Sequence, residues 1–423
     1  MSNQKDVTLL EGISDHFTEK TLRNILCTKY NGKDADVISW EFNEASKKGD
    51  SYLSTVNKIK VNGVVDDREV QISLVVKSVP KNVGRRKTFR SIEFFTNEIM
   101  FYTKVVPKFE EFVKNKGQSQ LLNIPTHLSS ALGDGNDYIA LEDVSILGFG
   151  RVSRQDYISL DECTLLLKCL AKFHAISFAF KDQKKEEFTE IVKTMSETYF
   201  KKDLWSWYKR FHENLVGIAK DALTKEYPGS AAEKQFCSLK LGELFDICCE
   251  FCERQDKPTS IITHGDCWAP NFLARKVNDE DDALMLDFQL THCTSPICDL
   301  SFCIYSCTDK TLRDESFDEL LKIYYNELSN SIALLGSKPE ELYPWDTFMK
   351  EVKEQFVFGM IFALEAIPFS LLDESQAFDL DAIIKDDNQV NIADVWTISN
   401  IKTKAGRLRL ANVIVHVVEN GFL

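Results

Sequence analysis

Two kinds of hydrophobic patterning divide the N-terminal part of the chain. Apolar residues recur at helical spacing between residues 7 and 30, whereas residues 37 to 79 alternate between apolar and polar positions. Alternating segments that are separated by turn residues, here Gly49 and the Asn62-Gly63 dipeptide, are typical of strands joined by turns. We therefore predict one or two short helices followed by a three-stranded antiparallel meander.

Helical patterns dominate the rest of the chain. The spacing of apolar residues predicts a helix from Phe89 to Val105, a strand in "YIALEDV", and mainly helices beyond residue 144. Strands followed by helices in this order predict an α+β protein. We expect an N-terminal domain over residues 1–143, with a small antiparallel sheet and a helix, and a larger, mainly helical domain over residues 144–423.

Composition excludes several functional classes. The net charge of −14, without a block of Lys and Arg that would neutralise phosphates, argues against a nucleic-acid partner. The N-terminus has no basic segment before an apolar one, and the longest apolar run is interrupted by Glu365 and Pro368, so we expect neither a secretory signal nor a membrane span. The twelve cysteines are scattered through apolar runs, which favours a reducing cytoplasm. We expect a globular cytoplasmic protein and favour a monomer.

Two segments carry residues that often bind metal ions. Cys249 and Cys252 form a C-x-x-C, but the sequence has no second such pair and no histidine pair at zinc-finger spacing, so we interpret these thiols as filling a helix face. The acidic "NDEDD" at residues 278–282 lacks the alternating ligands and the closing glutamate of an EF-hand. We interpret it as a solvated hairpin turn.

The strongest chemical signal lies in "THGDCWAPNFL" and the later "ALMLDF". Asp266 and Asn271 stand five residues apart across a turn, and a hairpin between the two apolar runs would return Asp287 to the level of Asn271. Carboxylate and amide oxygens are ligands that Mg²⁺ prefers, and Asp266 would accept a hydrogen bond from an incoming hydroxyl. An Asp-x-x-x-x-Asn loop followed by a second aspartate is the arrangement of phosphoryl transfer in kinases.

The predicted sheet supplies the remaining parts of such a site. In "REVQISLVVKSV" the apolar residues share one face of the strand, so Lys77 points from the other face and can reach phosphates. Glu98 on the next helix is the expected partner of Lys77, while Glu93 is the competitor on a different helix face. We expect His264 to brace its loop rather than titrate, and Asp299 either to cap the following helix or to tie down the loop.

Several segments together resemble a known family. "THGDCWAPNFL", "LMLDFQ", "SPICDLSF", "YIALEDV", "LAKFHAIS" and "NEIMFY" are similar to segments of the insect ecdysteroid kinase-like proteins, relatives of choline kinase and aminoglycoside phosphotransferases. The resemblance runs from about residue 38 to about residue 400. It implies a bilobal protein-kinase-like fold and the phosphorylation of a small-molecule hydroxyl with ATP and Mg²⁺.

The resemblance also implies roles for individual residues. Asp266 matches the catalytic base, and Asn271 and Asp287 match the metal ligands. Nucleotide-binding residues are implied at the phosphate-positioning pair, the adenine-binding hinge and the phosphate loop "SKKGDSYLS": Lys77, Glu98, Glu142, Val144, Gly49, Ser51 and Ser54. The phosphate loop departs from the family's usual Gly-Glu-Asn-Tyr at two positions, and "DFQ" replaces the DFG of protein kinases.

The sequence leaves open which small molecule accepts the phosphoryl group. The resemblance implies an ecdysteroid, phosphorylated on its 22-hydroxyl, or a related sterol, for which "LWSWYKRF" and "FVFGMIFALEAIPF" are candidate pocket segments. Alternatives are a detoxifying kinase for xenobiotic or plant alcohols, a kinase for a small choline-like or sugar-like substrate, and a catalytically inactive kinase-fold binding protein. A choline-like cation would require an acidic pocket.

Overall fold

The computed structural model describes residues 5–43, 54–153, 155–277, 280–372 and 378–423. Contacts within the chain divide it into two compact units. The first, here named the sheet unit, comprises Met1–Thr103, Pro125–Phe149 and Asp373–Val395, and the second, the helical unit, comprises Lys104–Ile124, Gly150–Leu372 and Trp396–Leu423.

Helices account for most of the regular structure. The α-helices are α1 Val7–Ile13, α2 Glu19–Tyr30, α3 Val83–Phe89, α4 Ser91–Met100, α5 Val106–Asn115, α6 Leu160–Gln183, α7 Lys185–Val192, α8 Trp205–Glu226, α9 Ala231–Ser238, α10 Glu243–Cys252, α11 Pro296–Cys307, α12 Lys310–Leu334, α13 Pro339–Leu342, α14 Trp345–Gln355, α15 Val357–Ser370, α16 Leu380–Ile383, α17 Ile392–Val395 and α18 Lys404–Glu419. The strands are β1 Ala35–Asn43, β2 Thr55–Val65, β3 Arg68–Ser78, β4 His127–Ala131, β5 Tyr138–Glu142, β6 Gly150–Arg151, β7 Ile261–Thr263, β8 Phe272–Val277, β9 Glu280–Met285 and β10 His292–Thr294. The predicted N-terminal helices and the meander are therefore confirmed.

The sheet unit is built on a five-stranded antiparallel sheet in the order β1-β2-β3-β5-β4. Alternate residues of the central strands, such as Ile72, Leu74 and Val76, pack with apolar residues of α1 and α2 in one core cluster. Strand β4 was not predicted, because its five residues are all half-buried and show no alternation. The predicted "YIALEDV" strand is β5, beside β3.

The turn between β2 and β3 differs from the prediction. Asn62 and Gly63 lie within β2, and the chain reverses at Asp66 and Asp67, which both have positive φ. Gly63 serves a different purpose, since a Cβ atom there would lie 2.7 Å from the carbonyl oxygen of Asp36. A glycine inside a strand often marks such a close approach of a neighbouring backbone.

The helix predicted from Phe89 to Val105 is interrupted. Arg90 adopts the left-handed conformation and separates α3 from α4, and a short π-helix, Phe101–Val105, follows α4. The left-handed residue changes the direction of the chain, and a separate helix, α4, begins at Ser91. Glu98 lies on the buried side of α4. The apolar periodicity alone does not reveal this break.

The helical unit contains two prominent helix pairs, α6 with α12 and α11 with α15. Two short ribbons, β8 with β9 and β7 with β10, flank the predicted site residues Asp266, Asn271 and Asp287. Helix α6 is long and apolar enough to cross a bilayer by length and composition alone, yet 78% of its most apolar window is buried inside the protein. Such burial is typical of a core helix, and length and composition are weak evidence for a membrane span.

The predicted fold class is confirmed: the chain is α+β, with a small antiparallel sheet and helix in one unit and mainly helices in the other. The predicted hairpin between "NFLAR" and "ALMLDF" is also present as β8 and β9. Part of the acidic segment predicted as its turn, residues 278–279, lies outside the described residues, whereas residues 280–282 belong to β9.

Candidate active site

Residues 264–271, here named the HGD loop, leave strand β7 and turn sharply at Gly265. Gly265 has a φ of 85°, and a Cβ atom there would lie 2.1 Å from the carbonyl oxygen of Leu290. Only glycine combines this φ with so close an approach. The loop is therefore held tightly against the segment that follows Asp287.

Asp266 and Asn271 are joined directly at the two ends of this turn. The Asn271 side-chain amide donates hydrogen bonds to the main-chain carbonyl oxygen of Asp266 at 2.9 Å and to its Oδ2 at 2.8 Å. These bonds use both amide hydrogens and thereby fix which side of the Asn271 amide carries Oδ1. Because Asn271 is buried and Asp266 is partly exposed, the amide positions a carboxylate that remains accessible to solvent.

The β8–β9 hairpin adds Asp287 to the same end of the structure. The N–H of Leu286 donates to the carbonyl oxygen of Asn271 at 2.8 Å, immediately before Asp287. Asp287 itself has a φ of 68°, a left-handed conformation that is uncommon outside glycine and that turns the chain out of β9. The structure thus brings the HGD loop and Asp287 together at the end of one hairpin.

The chemistry of this donor set fits a magnesium ion. Asn271 Oδ1 and the Asp287 carboxylate are hard oxygen ligands, one directly before β8 and the other shortly after β9. Mg²⁺ is usually bound by one or two protein groups of this kind together with water and phosphate oxygens. The residues present therefore suffice for the ion that the sequence resemblance implies.

Asp299, on helix α11, anchors the backbone of the HGD loop. Its Oδ2 accepts from the N–H of His264 at 2.7 Å, and its Oδ1 accepts from the N–H of Gly265 at 2.9 Å, while His174 Nε2 lies 3.0 Å from Oδ2. Burial by itself raises the pKa of Asp299, but the hydrogen bond and charge of His174, together with His264, hold it below its ordinary value. Of the two roles expected for Asp299, the structure shows the loop anchor, and Ser295 caps α11 instead.

His264 is held in one neutral tautomer by its surroundings. Its Nδ1 lies 3.1 Å from the N–H of Asp266, which donates to it, so the ring proton is on Nε2, 2.8 Å from the Leu286 carbonyl oxygen. Burial lowers the pKa of His264, and a proton on Nδ1 would also face the Asp266 N–H. His264 therefore braces the loop, which is the role expected from the sequence.

Lys77 and Glu98 form an ion pair within the sheet unit. Lys77 Nζ lies 2.9 Å from Glu98 Oε1, and their side chains are 14% and 2% exposed. The competing Glu93 is instead exposed and pairs with Arg90, at the start of the same helix. A carboxylate as buried as that of Glu98 costs free energy unless it is paired, so Lys77 and Glu98 fix each other's position.

The predicted adenine-binding residues lie at the end of strand β5 and directly after it. The Glu142 carboxylate pairs with Lys29, whose Nζ lies 2.8 Å from both carboxylate oxygens. The backbone N–H groups of Glu142 and Asp143 donate to carbonyl oxygens of the sheet unit. A nucleotide contact on this segment would therefore use its carbonyl groups or the N–H of Val144.

The phosphate loop is only partly described by the structure. Gly49 and Ser51 lie outside the described residues. Ser54 is partly exposed and directly precedes β2, the strand that pairs with the strand of Lys77.

The family of the chain can be decided from its sequence match. The model of the Ecdysteroid kinase-like family matches residues 48–337, which is more than half of the 423 residues. The chain belongs to the ecdysteroid kinase-like family. The resemblance predicted from the motifs is thereby confirmed, and the matched range includes the HGD loop and the pair of Lys77 and Glu98. No curated protein matches the sequence.

Solved structures with some similarity to this ecdysteroid kinase-like protein are small-molecule kinases by their names. An ethanolamine kinase from Plasmodium vivax is 13% identical, with 89% of this chain and 81% of that chain covered and a TM-score of 0.39. The GDP complex of aminoglycoside 2'-phosphotransferase-IIIa is 13% identical (93% and 97% covered, TM-score 0.38), and APH(3'')-Id from Streptomyces rimosus is 13% identical (74% and 95% covered, TM-score 0.33). At these values the neighbours carry no information on the substrate of this family member.

Two residues of the loop anchor were not predicted from the sequence. His174 lies in the middle of the apolar helix α6, and its Nδ1 lies 2.6 Å from the hydroxyl oxygen of Tyr324 on α12. Both are fully buried, and together they connect Asp299 to the long helix pair of the helical unit. A histidine inside the otherwise apolar "LAKFHAIS" was the available signal, since a buried polar side chain requires a partner.

Proposed function

We propose that this protein is an ATP- and Mg²⁺-dependent kinase that phosphorylates a hydroxyl group of a small molecule. The observation that carries the proposal is the convergence of Asp266, Asn271 and Asp287 at one end of the β8–β9 hairpin. Membership in the ecdysteroid kinase-like family and the buried partner of Lys77 support it further.

Each of these side chains has a distinct proposed role. Asp266 accepts the proton of the attacking hydroxyl, while Asn271 holds the carboxylate in its orientation. Asn271 Oδ1 and Asp287 would hold Mg²⁺, which when bound neutralises charge on the transferring phosphoryl group. Lys77, oriented by Glu98, binds the phosphates. Because none of these groups forms a covalent intermediate, catalysis consists mainly of positioning and charge stabilisation.

The remaining nucleotide contacts are also part of the proposal. We assign phosphate contacts to Gly49, Ser51 and Ser54, and adenine contacts to Glu142 and Val144. The domain boundary after residue 143, a cytoplasmic location and a monomeric state are further proposals of the same kind. The twelve cysteines, all free thiols, support the compartment.

The two segments expected to line the acceptor pocket lie side by side. Glu365 on α15 accepts hydrogen bonds from the hydroxyl groups of Tyr199, at 2.7 Å, and of Tyr208 on α8, at 3.1 Å. Burial raises the pKa of Glu365 to about 7, despite these two bonds, although the residue keeps some exposed surface. These two tyrosines belong to a cluster of aromatic rings that contact one another: Tyr199, Phe200, Tyr208, Phe245, Phe358 and Phe362.

This cluster supports a large apolar alcohol as the acceptor. An aromatic environment with a single hydrogen-bonding group suits a ligand that is mostly hydrocarbon with a few hydroxyls. A carboxyl group with a pKa near 7 is a weak counter-ion for a permanent cation, so the cluster favours a sterol over a choline-like substrate. We propose an ecdysteroid with a free 22-hydroxyl, or a related sterol, and keep xenobiotic alcohols as the alternative.

Mass spectrometry would test the proposed function directly. The full chain is incubated with MgATP and separate acceptors: an ecdysteroid with a free 22-hydroxyl, a plant sterol alcohol, choline and a monosaccharide. We expect a phosphate-mass gain on the ecdysteroid or the sterol alcohol and none on choline. Nucleotide binding without a mass gain on any acceptor, or on those in a metabolite extract, would indicate the inactive binding-protein alternative.

The ion pair of Lys77 makes a specific prediction with a matched control. Glu98→Gln removes the charge that orients Lys77, and a charge-assisted hydrogen bond is worth roughly 1.5–3 kcal/mol, or about 10- to 100-fold in affinity. We expect the Kd for MgATP, measured by calorimetry, to rise by about that factor. Glu93→Gln, on the same helix, should leave the Kd unchanged, and equal effects of both variants would contradict the assignment.

Asp287 is expected to control the metal requirement. In Asp287→Asn one anionic ligand becomes neutral, so the Mg²⁺ concentration for half-maximal activity should rise about 10- to 100-fold, as for damaged metal sites elsewhere. A magnesium titration at saturating ATP measures this shift. Asp281→Asn changes an exposed aspartate of the same hairpin and should behave as the wild type. A normal Mg²⁺ dependence in Asp287→Asn would remove Asp287 from the metal site.

A further inference from the structure

Three residues that are distant in the sequence converge at the end of helix α10. The ligand atoms of Glu197, Cys252 and His292 all lie within 4.8 Å of one another. Cys252 is the second cysteine of the C-x-x-C, and His292 begins strand β10. The side chains are mostly buried, with 13% of Glu197 and 8% of His292 exposed. The cluster lies in the helical unit, and the proposed kinase chemistry does not use it.

Local hydrogen bonds aim two of these side chains at each other. Glu197 Oε1 accepts from the backbone N–H groups of Tyr199 at 2.6 Å and Phe200 at 2.7 Å, so Oε2 is the oxygen on the side of His292. His292 Nδ1 lies 2.9 Å from the carbonyl oxygen of Leu290 and donates to it. A neutral imidazole that donates from Nδ1 presents a lone pair at Nε2.

Two hydrogen-bond acceptors, His292 Nε2 and Glu197 Oε2, therefore face each other. His292 Nε2 is 3.2 Å from Glu197 Oε2, yet Nε2 is buried and makes no hydrogen bond within the described part of the chain. Two lone pairs at this distance repel unless a cation lies between them. Either a proton on Nε2 or a metal ion can supply the charge, but the two atoms are not aligned as a hydrogen bond requires.

The separation of the ligand atoms suits a tetrahedral ion. Bonds of about 2.0–2.1 Å from zinc to nitrogen and oxygen place two ligand atoms roughly 3.3 Å apart at the tetrahedral angle. The observed 3.2 Å between Nε2 and Oε2 agrees with this value. Imidazole and thiolate together favour zinc over Mg²⁺ or Ca²⁺, which prefer oxygen ligands.

We propose that Glu197 Oε2, Cys252 Sγ and His292 Nε2 bind a zinc ion, with a water molecule as the fourth ligand. The hydrogen bonds from His292 to the Leu290 carbonyl oxygen and from the backbone N–H groups to Glu197 act as outer supports that orient the ligands. A zinc site within one short segment would need a second cysteine or histidine pair at close spacing. Here the two ligands besides Cys252 come from two other parts of the chain.

The zinc ion would join α10 to the strand next to the HGD loop. His292 is paired with Thr263 in the β7–β10 ribbon, and the Thr263 hydroxyl donates to the His292 carbonyl oxygen at 3.0 Å. Thr263 is the residue directly before the loop. The bound ion would therefore have a structural role, holding the ribbon in place, and the proposal does not depend on the kinase activity.

Metal analysis of the full-length protein tests the proposal. The protein is purified without chelators, dialysed, and analysed by inductively coupled plasma mass spectrometry, with zinc titration of chelator-treated protein as the second measurement. We expect about one zinc ion per chain, and in cobalt-substituted protein a thiolate-to-cobalt charge-transfer band. A wild-type protein that retains no zinc and binds none on titration would overturn the proposal.

Variants identify the ligands, with a neighbouring thiol as the control. Cys252→Ser and His292→Gln should lose the ion, and Glu197→Gln, which keeps the backbone bonds, should weaken zinc binding at least about tenfold. Cys293→Ser removes a buried thiol next to His292 in the sequence. The Cys293 thiol donates to the carbonyl oxygen of Gln255, so this variant should keep the zinc ion. Circular dichroism checks that each variant folds. Equal zinc loss in Cys293→Ser, or full zinc content in Cys252→Ser, would show that the ligand set is wrong.

Discussion

Replacing Asp266 by asparagine is expected to lower turnover about 10²- to 10⁴-fold, the usual contribution of a positioned proton acceptor. The amide is nearly the same size as the carboxylate, and Asn271 still has an oxygen to donate to, so the HGD loop should keep its shape. The Kd for MgATP should therefore stay within a few-fold of the wild type. Single-turnover phosphoryl transfer and calorimetric ATP binding measure the two effects separately.

The control for this variant is a matched substitution on the surface. Asp318→Asn changes an exposed aspartate of helix α12 in the same unit and should leave both turnover and ATP binding unchanged. Full activity of Asp266→Asn would remove Asp266 from the role of base. A loss of ATP binding equal to the loss of turnover would instead assign Asp266 to nucleotide binding.

Much of the candidate site could be predicted because it depends on local periodicity. Alternation along β3 places Lys77 opposite the apolar stripe, and helical spacing distinguishes Glu98 from Glu93, and the pair forms as predicted. The five-residue interval between Asp266 and Asn271 spans one turn, which is short enough for a direct hydrogen bond. These features require only one or two neighbouring elements.

Other features depend on backbone geometry or on distant segments, and local patterns do not reveal them. Gly63 looks like a turn residue, but the close approach of another strand explains it, and Arg90 breaks a helix whose apolar periodicity continues. The partners of Asp299 and of Cys252 come from elements that are far away in the sequence. Only the packing of the helical unit brings these residues together.

Replacing Asp299, the anchor of the HGD loop, is expected to cause the largest loss of stability. In Asp299→Asn, either orientation of the amide turns its NH₂ group toward a backbone N–H, since Oδ1 accepts from Gly265 and Oδ2 from His264. The buried backbone N–H on that side thus loses its acceptor and faces another donor, which costs about 3–5 kcal/mol for a broken buried network. Denaturant unfolding of the helical unit should show this loss in the free energy of unfolding. Hydrogen exchange should show faster exchange of the His264 and Gly265 amides.

A surface variant tests whether the loss of stability is specific to Asp299 or follows from replacing any aspartate. Asp314 pairs with Lys310 on the exposed side of α12, and such pairs contribute at most about 1 kcal/mol. Asp314→Asn should therefore change the free energy of unfolding by less than about 1 kcal/mol and leave the exchange of the loop amides unaltered. A similarly small effect of Asp299→Asn would contradict the anchor role.

The pH dependence of this difference provides an independent check on the charge of Asp299. Burial alone would raise its pKa, but the donors hold the folded-state pKa below the unfolded value of about 3.9. A group with a lowered folded-state pKa contributes its full stability above the unfolded pKa, and this contribution is lost as the pH falls through the folded value. The stability difference between wild type and Asp299→Asn should thus be constant from about pH 5 to 8 and shrink only below about pH 4. A difference that already shrinks between pH 7 and 6 would mean that Asp299 is protonated near neutrality, and that its oxygens do not anchor the loop as a carboxylate.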